Sequence, residues 1–450
     1  MSSSLDAAGA VDYARDAVRI AIAAGASQAD ATLSIGDRFS TEARDRTITK
    51  LEQSTGKSLQ VRVFVDGRKA TLGTTDFDSE HLRAAIAETV AQARHVANDE
   101  FGGLPQPGDL DPYGRVDLEL YADDIVGRDA QSKVDEALQL ERLIREADPR
   151  IENSNGSHYG DGVTTTALAN SFGFAGAYRS TRVSRSSSPV ARDGEAKRTG
   201  AYGTAGRGLR ELESLEDVAR MAVRRTVELF GARKPQTGRM PVIFERDVAA
   251  AVLSDLFAAL CASNVAIGNS WLGERVGETI GSPFVTIVDD GTLPGLLGSS
   301  PFDGEGVPTR RTSVFERGTL RTLLYDTYYA RKLGAASTGN ASGGSIGPNN
   351  FYLESGTWAL DQVIARTKRG VLVLDTIGFA TEHASGIYSR GARGFAIENG
   401  ELAYPIDEFT IASTFTEMLA GIDAVADDLR FDGPVVSPSF RVAEMTISGS

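Results

Sequence analysis

Two tight-turn signals constrain the fold of this 450-residue chain most strongly. Asp66-Gly67 follows a run in which every second residue is apolar (59–65), and Asn399-Gly400 separates two further strand-like runs (394–398 and 401–405). Such dipeptides between strands are typical of two-residue β-hairpins, whose twist matches that of the flanking strands. One hairpin in each half of the chain predicts antiparallel sheets in both halves.

The first half alternates helical and strand-like patterns. Apolar residues recur at helical spacing in four segments, and period-two alternation or β-rich composition marks the strands. We predict helices over 6–25, 78–98, 129–147 and 214–231, strands over 31–35, 47–53, 59–65 and 69–74, and a β-like region rich in Gly, Ser and Thr over 151–204. Residues 101–122, rich in Pro, Gly and Asp, predict a long surface connection. The pattern indicates an N-terminal α/β domain over 1–235.

The second half opens with a buried strand (241–244) and a helix (247–263), after which short strands dominate. They are predicted over 285–288, 312–315, 320–324 and 371–374, in addition to the two that flank Asn399-Gly400. We therefore predict an antiparallel, β-rich C-terminal domain over 236–450 and the fold class α+β.

Composition excludes several classes of function. The formal net charge of −14 argues against a nucleic-acid groove, which needs a basic face. No apolar run is long enough to cross a membrane, and the N-terminus does not have the pattern of a signal peptide, so a cytoplasmic location is expected. The single cysteine, Cys261, allows neither an internal disulfide nor a cysteine-based zinc site, and its apolar helical context predicts a small buried side chain.

Motifs of catalytic chemistry are missing. The four histidines do not form a helical HExxH pair, and the adjacent pair Glu382-His383 stands in a Gly/Ser-rich segment without a neighbouring ligand. There is no G-x-S-x-G motif, and the glycine-rich 343–350 is not followed by the Lys-Ser/Thr of a phosphate loop. The acidic pairs Asp289-Asp290, Asp303/Glu305 and Asp407-Glu408 are interpreted as surface turns. The sequence thus predicts no catalytic residue and no metal ligand in this chain.

The stretch 301–341 has a layout that none of these chemistries explains. An acidic glycine loop (303–306) precedes a short strand pair, a Tyr-rich helix (325–333) and a second glycine loop (337–341). Strands bounded by glycine can also pair with an extended peptide through main-chain hydrogen bonds, although whether a strand lies at a sheet edge is decided by the tertiary structure.

Several long segments, in order, resemble the TldD/PmbA (modulator of DNA gyrase) metallopeptidase family, and within it the TldE or PmbA branch. The resemblance is carried by DPRIENSNGSHYG, MPVIFERDVAAAVLSDL, NSWLGERVGETI, DDGTLPGLLGSSPFDGEGVPTRR, YDTYYARKLGAASTGNA and YSRGARGFAIENGELAYPIDEFTIA. It implies a heterodimer that encloses a cavity. The TldD subunit of such a complex binds zinc through HExxxH and a cysteine near its C-terminus.

This chain departs from the catalytic pattern. ERDVAAAVLSDL stands where HExxxH is expected, and the C-terminal segment contains no cysteine. The resemblance therefore implies a non-catalytic TldE-type subunit without a cofactor of its own, with zinc in a TldD-type partner. Unfolded or precursor peptides are the implied substrates, through degradation or leader removal.

The residues expected to contact substrate or the partner are not acid–base groups. We predict that the acidic loop and Arg310 set the polarity of the cavity, that the second glycine loop offers free backbone groups, and that arginines on a glycine-bounded loop clamp a substrate carboxylate or carbonyl. The candidates are Asp303, Glu305, Arg310, Gly339, Asn340, Tyr388, Arg390, Gly391 and Arg393. Turn chemistry and ion pairs at a subunit interface explain the same residues.

Two other functions stay open. A self-sufficient homodimeric hydrolase predicts turnover by the chain alone, lost on substitution of Glu382 or His383. A peptide-binding protein predicts affinity for peptides without cleavage in any combination.

Overall fold

The structure is a computed structural model that describes residues 6–110, 117–378 and 381–449. Across these residues it contains two large sheets, a smaller five-stranded sheet, a two-stranded hairpin and nine α-helices. The helices are α1 (Ala7–Ala23), α2 (Ser79–Ala93), α3 (Ala130–Ala147), α4 (Leu215–Val227), α5 (Arg246–Leu260), α6 (Ala262–Ala266), α7 (Thr327–Leu333), α8 (Leu360–Ala365) and α9 (Phe415–Gly421).

The strands of the first half are β1 (Gln28–Arg44), β2 (Thr47–Val65), β3 (Arg68–Thr74), β4 (Ile151–Asn170), β5 (Ala175–Asp193), β6 (Ala196–Thr199) and β7 (Tyr202–Gly206). Those of the second half are β8 (Gly238–Phe244), β9 (Ile287–Asp290), β10 (Arg311–Glu316), β11 (Thr319–Leu320), β12 (Ala341–Ser342), β13 (Ser345–Ile346), β14 (Phe351–Leu353), β15 (Arg369–Ile377), β16 (Thr381–Glu382), β17 (Ile387–Glu398), β18 (Glu401–Thr414), β19 (Ile422–Val425), β20 (Val435–Val436) and β21 (Phe440–Ser448).

The N-terminal sheet is antiparallel throughout, in the order β3-β2-β1-β4-β5-β6, with β7 also paired to β5. Its long strands bury one face. The odd-numbered residues Leu33 and Ile35 of β1 belong to the core formed with α1 and α2, and Phe39 belongs to the core formed with α3. Since side chains alternate along a strand, the even-numbered residues of β1 and their cross-strand partners form the opposite face, which we call the polar face.

The C-terminal sheet has the order β15-β8-β21-β18-β17-β16, with β19 paired to β21. Successive residues of β8 enter two different cores: Val242 packs with α5 and Ile243 packs near α8. Both faces of this sheet are therefore covered, as expected for a strand that reads as a continuous apolar run.

The five-stranded sheet, β11-β10-β9-β14-β20, shares its core with the C-terminal sheet. It carries the loops that face the N-terminal sheet. Phe302 packs edge-on against Phe174 and Tyr178 of the first half, at ring-centroid distances of 5.2 and 5.4 Å. The polar face of the first half and the loops of the second half thus come together.

The fold class α+β is confirmed, and both predicted hairpin turns form with positive φ at Asp66, Gly67, Asn399 and Gly400. The second half is β-rich as predicted, but not wholly antiparallel. β8 and β15 are parallel, as are β14 and β20, because long connections bring these strands back in the same direction.

Three predicted elements have different bounds. The strands predicted over 47–53 and 59–65 are one strand, β2, because its pairing with β1 continues through Gly36 and Gly56. The helix predicted over 247–263 is divided at Cys261, whose backbone is extended, and the strand predicted over 320–324 is reduced to Thr319–Leu320. Residues 111–116 of the predicted surface connection lie outside the described residues. The boundary proposed near residue 235 falls between α4 and β8 and stays a prediction.

Candidate functional site

The acidic loop and the second glycine loop are joined by the buried carboxylate of Asp303. Its Oδ1 accepts hydrogen bonds from the backbone N–H groups of Glu305 (2.9 Å) and Val307 (3.0 Å). Its Oδ2 accepts from the N–H of Ala341 at 3.0 Å. Burial and the neighbouring Glu305 charge raise the pKa of Asp303 above its ordinary value. Asp303 is thus a buried anchor between two loops.

Glu305 connects this loop to the N-terminal sheet. Its Oε1 lies 3.2 Å from an Nη of Arg62, and its Oε2 accepts from the N–H of Thr327, in the first turn of α7, at 3.0 Å. Arg62 also donates from Nε to Asp30 at 2.9 Å. Burial opposes the charged form of Arg62, but Asp30 and Glu305 outweigh it and raise the pKa of the guanidinium. The triad Asp30–Arg62–Glu305 links the two halves of the chain.

A second buried carboxylate, Asp289, organises the loop after β13. It accepts hydrogen bonds from the side-chain amide of Asn340 (2.7 Å) and from the backbone N–H (2.9 Å) and side chain (2.8 Å) of Asn349. Burial raises the pKa of Asp289 to about 6, although these three donors favour the charged form.

The interpretation of the acidic pairs as surface turns was wrong for two of the three pairs. Asp289 and Asp290 lie buried in β9, and Asp303 and Glu305 are also buried. In the third pair Glu408 is exposed, while Asp407 forms an ion pair with Arg198. For Asp289 and Glu305 the reason is tertiary, because amide and guanidinium groups from distant segments contact their carboxylates. Asp290 instead accepts from the backbone N–H and hydroxyl of Thr292, two residues away.

Two adjacent cavities lie along the polar face. The first has a volume of about 370 Å³ and is bordered by the loops around 297–304 and 339–349 and by Thr32, Thr166 and Tyr178 of the sheet. The second, of about 660 Å³, lies further along the sheet. Ser180, Arg207 and Leu297 line both cavities. The cavities therefore share a wall and form one groove over the polar face.

Of the nine candidate residues, Asp303, Gly339 and Asn340 line the first cavity, and Glu305 is tied to Arg62 beside it. The backbone groups of the glycine loop are not free, contrary to the prediction. The Gly339 carbonyl accepts from Asn349 at 3.2 Å, and the Asn340 carbonyl accepts from the N–H of Gly347 at 2.8 Å. The side-chain Oδ1 of Asn340 is buried without a hydrogen-bond partner in the described structure.

The candidates Tyr388, Arg390, Gly391 and Arg393 do not lie on a loop. They belong to β17 of the C-terminal sheet and line neither cavity. The glycines of this segment were interpreted as loop residues, but they lie in a strand. A Cβ on Gly394 would lie 1.8 Å from the carbonyl oxygen of Leu372, so this glycine permits close packing of two strands rather than a turn.

The side chains of these candidates are also engaged. Tyr388 is 1% exposed and packs edge-on against two core phenylalanines. Arg390 pairs with Asp255 at 2.6 Å, and Arg393 pairs with Asp375 at 3.0 Å. Arg310 is exposed just before β10 and borders neither cavity.

The start of α5, where the resemblance places HExxxH in the catalytic subunit, carries an ion-pair network. Glu245 accepts from the N–H of Asp247 at 3.0 Å and caps the helix. Arg225 of α4 lies 3.5 Å from Glu245 and 2.5 Å from Asp247, and Arg246 donates to the hydroxyl of Tyr202 at 3.2 Å. Burial and the Asp247 charge raise the pKa of Glu245. Two guanidinium groups beside these carboxylates do not fit a zinc ion.

Other potential ligands are dispersed. In the described ranges, no three His, Cys, Asp or Glu side chains cluster in a way that could hold a metal ion. Cys261 is buried as predicted, and burial raises the pKa of its thiol to about 12. Glu382 is exposed in β16 and accepts from the hydroxyl of Ser385 at 2.8 Å.

No described helix is both long and apolar enough to cross a bilayer.

Comparison with known proteins identifies the family. Three models match in order: PmbA/TldA metallopeptidase domain 1 over residues 29–97, the central domain over 123–230 and the C-terminal domain over 237–449. The metalloprotease PmbA homolog of Haemophilus influenzae is 32% identical, over 96% of this chain and 95% of that protein. This chain belongs to the PmbA/TldD/TldE metallopeptidase family.

Other relatives agree with this assignment. Metalloprotease PmbA of Escherichia coli O157:H7 is 30% identical over 95% of this chain and 94% of its own length. The crystal structure of a proposed modulator of DNA gyrase from Bacteroides thetaiotaomicron superposes with a TM-score of 0.91 at 28% identity, covering 98% of both chains. TldE from Thermococcus kodakarensis shares the fold, with a TM-score of 0.87 at 22% identity, over 97% of this chain and 99% of that one.

The residues that connect the halves of this family member carry no recognisable motif in the sequence. Arg62 was visible only as a polar residue between the apolar Val61 and Val63, and Arg207 carried no signal at all. The Ser, Thr and Gly content of β4 and β5 was noted, and it is these residues that line the groove.

Proposed function

We propose that this chain is the non-catalytic, TldE/PmbA-type subunit of a heterodimeric zinc metallopeptidase of the cytoplasm. Its polar face and the adjoining loops form part of the wall of the substrate cavity, and a TldD-type partner supplies HExxxH and zinc. The complex degrades unfolded peptides or removes leader peptides. The proposal rests on the family membership and on one structural observation, the ion-pair network at the start of α5.

That network explains why the chain needs a partner. A zinc peptidase uses the metal to polarise the scissile carbonyl and to activate water, and the ligands must present free nitrogen, sulfur or oxygen lone pairs. Here the carboxylates of Glu245 and Asp247 are occupied by Arg225 at 3.5 and 2.5 Å. The role left to this chain is to bind and orient the peptide.

The groove supports that role. It lies against a sheet face of small polar side chains, and the buried Asp30–Arg62–Glu305 triad fixes the acidic loop against that sheet. A rigid wall of this kind holds an extended chain in place at a low entropic cost.

The test is a cleavage assay on an unstructured peptide, with zinc analysis of each sample. The chain is assayed alone, then with a family member that carries HExxxH, and that member is also assayed alone. We expect zinc only where the HExxxH chain is present, and cleavage only in the mixture, abolished by a chelator. Cleavage by this chain alone contradicts the proposal and favours the homodimeric hydrolase, which Glu382→Gln or His383→Gln would then inactivate.

A peptide-binding protein without a peptidase partner is the second candidate, favoured by the same groove. It predicts peptide affinity but no cleavage in any mixture. A matched control for the cleavage assay on the mixture is the double variant Glu245→Gln with Asp247→Asn, which removes the two carboxylates at the start of α5. If neither group is catalytic, the mixture containing this variant keeps its activity.

A further inference from the structure

We propose that the polar face of the N-terminal sheet is a binding site for acidic peptide segments, recognised by Arg38, Arg182 and Arg207. This inference deepens the proposed function by naming a substrate class, and it rests on that function only for its biological role. The binding itself is a property of this chain.

The arginines of the polar face are placed by strand register. Arg38 on β1 pairs with Gly162 on β4, which in turn pairs with Arg182 on β5. Directly paired residues point to the same face, so the two guanidinium groups rise on either side of a glycine. Two strand spacings separate their backbones by about 10 Å. Gly162 and both arginines line the second cavity.

The rest of the central polar face is small and uncharged. The row next to the arginine pair contains Gly56, Gly36, Thr164 and Ser180, and the following row contains Ser58, Ser34, Thr166 and Tyr178. Carboxylates on this face appear only towards its ends. Asp30 pairs with Arg62 at one end, and Glu52 and Glu42 stand at the other end, hydrogen-bonded to Ser40 and Thr49.

Arg38 and Arg182 are both exposed, and neither forms an ion pair with a carboxylate among the described residues. Two acids border the cavity as well. Asp161 is neutralised by Lys133 at 2.6 Å, and Asp37 accepts from the hydroxyl of Thr55 at 2.6 Å. The groove is therefore locally cationic in a protein whose net charge is −14.

Arg207 is the second, independent observation. It is 7% exposed and borders both cavities, yet within the described structure its guanidinium has only neutral partners. It donates to the carbonyl oxygens of Thr181 (3.1 Å), Leu296 (2.8 Å) and Leu297 (3.1 Å), and its buried Nε has no partner.

A cation buried without a counter-charge is costly, because desolvation disfavours the charged form. Here burial, with a smaller effect of the Arg182 charge, lowers the pKa of Arg207 to about 10. An anion in the groove would offset that cost. This is the reason for assigning the site to a negatively charged ligand rather than to a neutral peptide.

The dimensions favour a peptide. Glu52 pairs with Ser40, so the rows of Asp30 and Glu52 lie ten residues apart on β1, about 33 Å, and the rows between them can accommodate roughly eight extended residues. Arg38 and Arg182 lie in one row, about 10 Å apart across the strands, so they flank a peptide that runs along the strands. Each can contact one carboxylate on the side of the peptide that faces the sheet, while Ser and Thr hydroxyls contact its backbone. A nucleic acid needs a longer cationic track that neutralises many phosphates, and acids close both ends of this one.

The experiment is isothermal titration of the purified full chain with eight-residue peptides, acetylated and amidated at their ends. One peptide carries Asp and Glu at alternate positions, and its control carries Asn and Gln there. A third is neutral with a free C-terminal carboxylate, and the fourth probe is an eight-nucleotide oligothymidine. We expect tight binding of the acidic peptide alone, weakened when NaCl is raised from about 50 to about 300 mM.

The test variant is Arg38→Gln with Arg182→Gln. Both side chains are exposed and unpaired in the described structure, so folding should be unaffected, and we expect the affinity for the acidic peptide to fall about ten-fold. The control, Arg15→Gln with Arg19→Gln, removes the same charge from exposed positions on α1 and should leave the affinity unchanged. Arg207→Met, checked by thermal unfolding, should also weaken binding.

Equal affinity for the acidic and neutral peptides, or no effect of the double variant, overturns the inference. So does preferred binding of the free C-terminus or of oligothymidine. The two proposals fail separately. If the mixture cleaves peptides but this chain has no preference for the acidic peptide, only this inference is wrong. If this chain binds the acidic peptide but no mixture cleaves, only the proposed function is wrong.

Discussion

The two large sheets of this protein use the same residue types for opposite purposes. In the N-terminal sheet, alternation buries one face of β1 and leaves Ser34, Gly36 and Arg38 on an open groove. In the C-terminal sheet both faces are covered, and Gly394 lies so close to β15 that a Cβ would overlap a carbonyl oxygen. Gly36 and Arg38 therefore lie on accessible surface in one sheet, whereas Gly394 and Arg390 are closely packed or paired in the other.

The difference shows where function can be sought. In the closed sheet Arg390, Arg393 and Arg441 form ion pairs with neighbouring carboxylates, and Arg390 lies 2.6 Å from Asp255. On the open sheet Arg38 and Arg182 have no carboxylate partner among the residues described. Arg62 of β2 differs from both groups, because it is a buried cation that holds the acidic loop against the N-terminal sheet.

The largest effect is expected from Arg62→Met, which breaks the link between the open sheet and the acidic loop. It leaves the carboxylates of Asp30 and Glu305, 2% and 8% exposed, buried without their cation. Breaking a buried ion pair from one side typically costs about 3–5 kcal/mol. We expect a loss of that size in the free energy of unfolding, measured by urea denaturation.

The control for Arg62 is Arg390→Met in the closed sheet. Its partner Asp255 keeps 18% of its side chain exposed and remains hydrated, so the loss should be about 1–2 kcal/mol. Equal losses in the free energy of unfolding for the two variants would mean that burial makes the triad no more sensitive to loss of its cation than the partly exposed pair Arg390–Asp255.

Gly394→Ala should produce the next largest loss, about 3 kcal/mol, because the added methyl group would meet the Leu372 backbone and force β15 and β17 apart. Gly56→Ala is the matched change on the open sheet, where nothing lies within 4 Å of the added Cβ, and it should alter stability by less than about 0.5 kcal/mol. Thermal unfolding of both variants measures the contrast, and a neutral Gly394→Ala would refute the close packing.

Local patterns in the sequence predict a large part of this fold. Alternation at 59–65 and the turn residues Asp66-Gly67 and Asn399-Gly400 specify hairpins, because period-two burial and positive φ are local properties. Burial of a charge is not local. Asp289 looks like a turn residue until Asn340 and Asn349, more than fifty residues away, supply its hydrogen bonds at 2.7–2.9 Å.

The candidate site was predicted in part for the same reason. Asp303, Gly339 and Asn340 lie on loops that the family motif identifies, and they do line a cavity. The segment 388–393 looks equally loop-like, since a glycine that admits a neighbouring strand and a glycine that permits a turn are identical in sequence. Arg207 could not be singled out, because its significance is the absence of a charged partner within the described fold.

The smallest expected effect concerns Asp289 and tests whether burial of its carboxylate makes the stability of the protein depend on pH. Its pKa is raised from 3.8 to about 6 by burial, so the folded chain retains a proton that the unfolded chain has already released. The stability from that proton is fully present below about pH 4 and is lost as the pH rises through about 6, a change on the order of 2 kcal/mol. Asp289→Asn should reduce the slope of the urea-denaturation profile between pH 4 and 7, and the slope that remains belongs to other groups such as Asp303 and Glu245, whose pKa values are also raised by burial.

Removal of any carboxylate alters net charge, so the control is Asp12→Asn on the exposed surface of α1, which should keep the wild-type slope. The three hydrogen bonds donated to Asp289 limit the shift, since they favour the charged form, and an unchanged profile in Asp289→Asn would mean that they cancel the burial effect altogether. In that case the loop after β13 would be held by a largely ionised carboxylate from about pH 5 upwards, through Asn340 and Asn349, which line the first cavity.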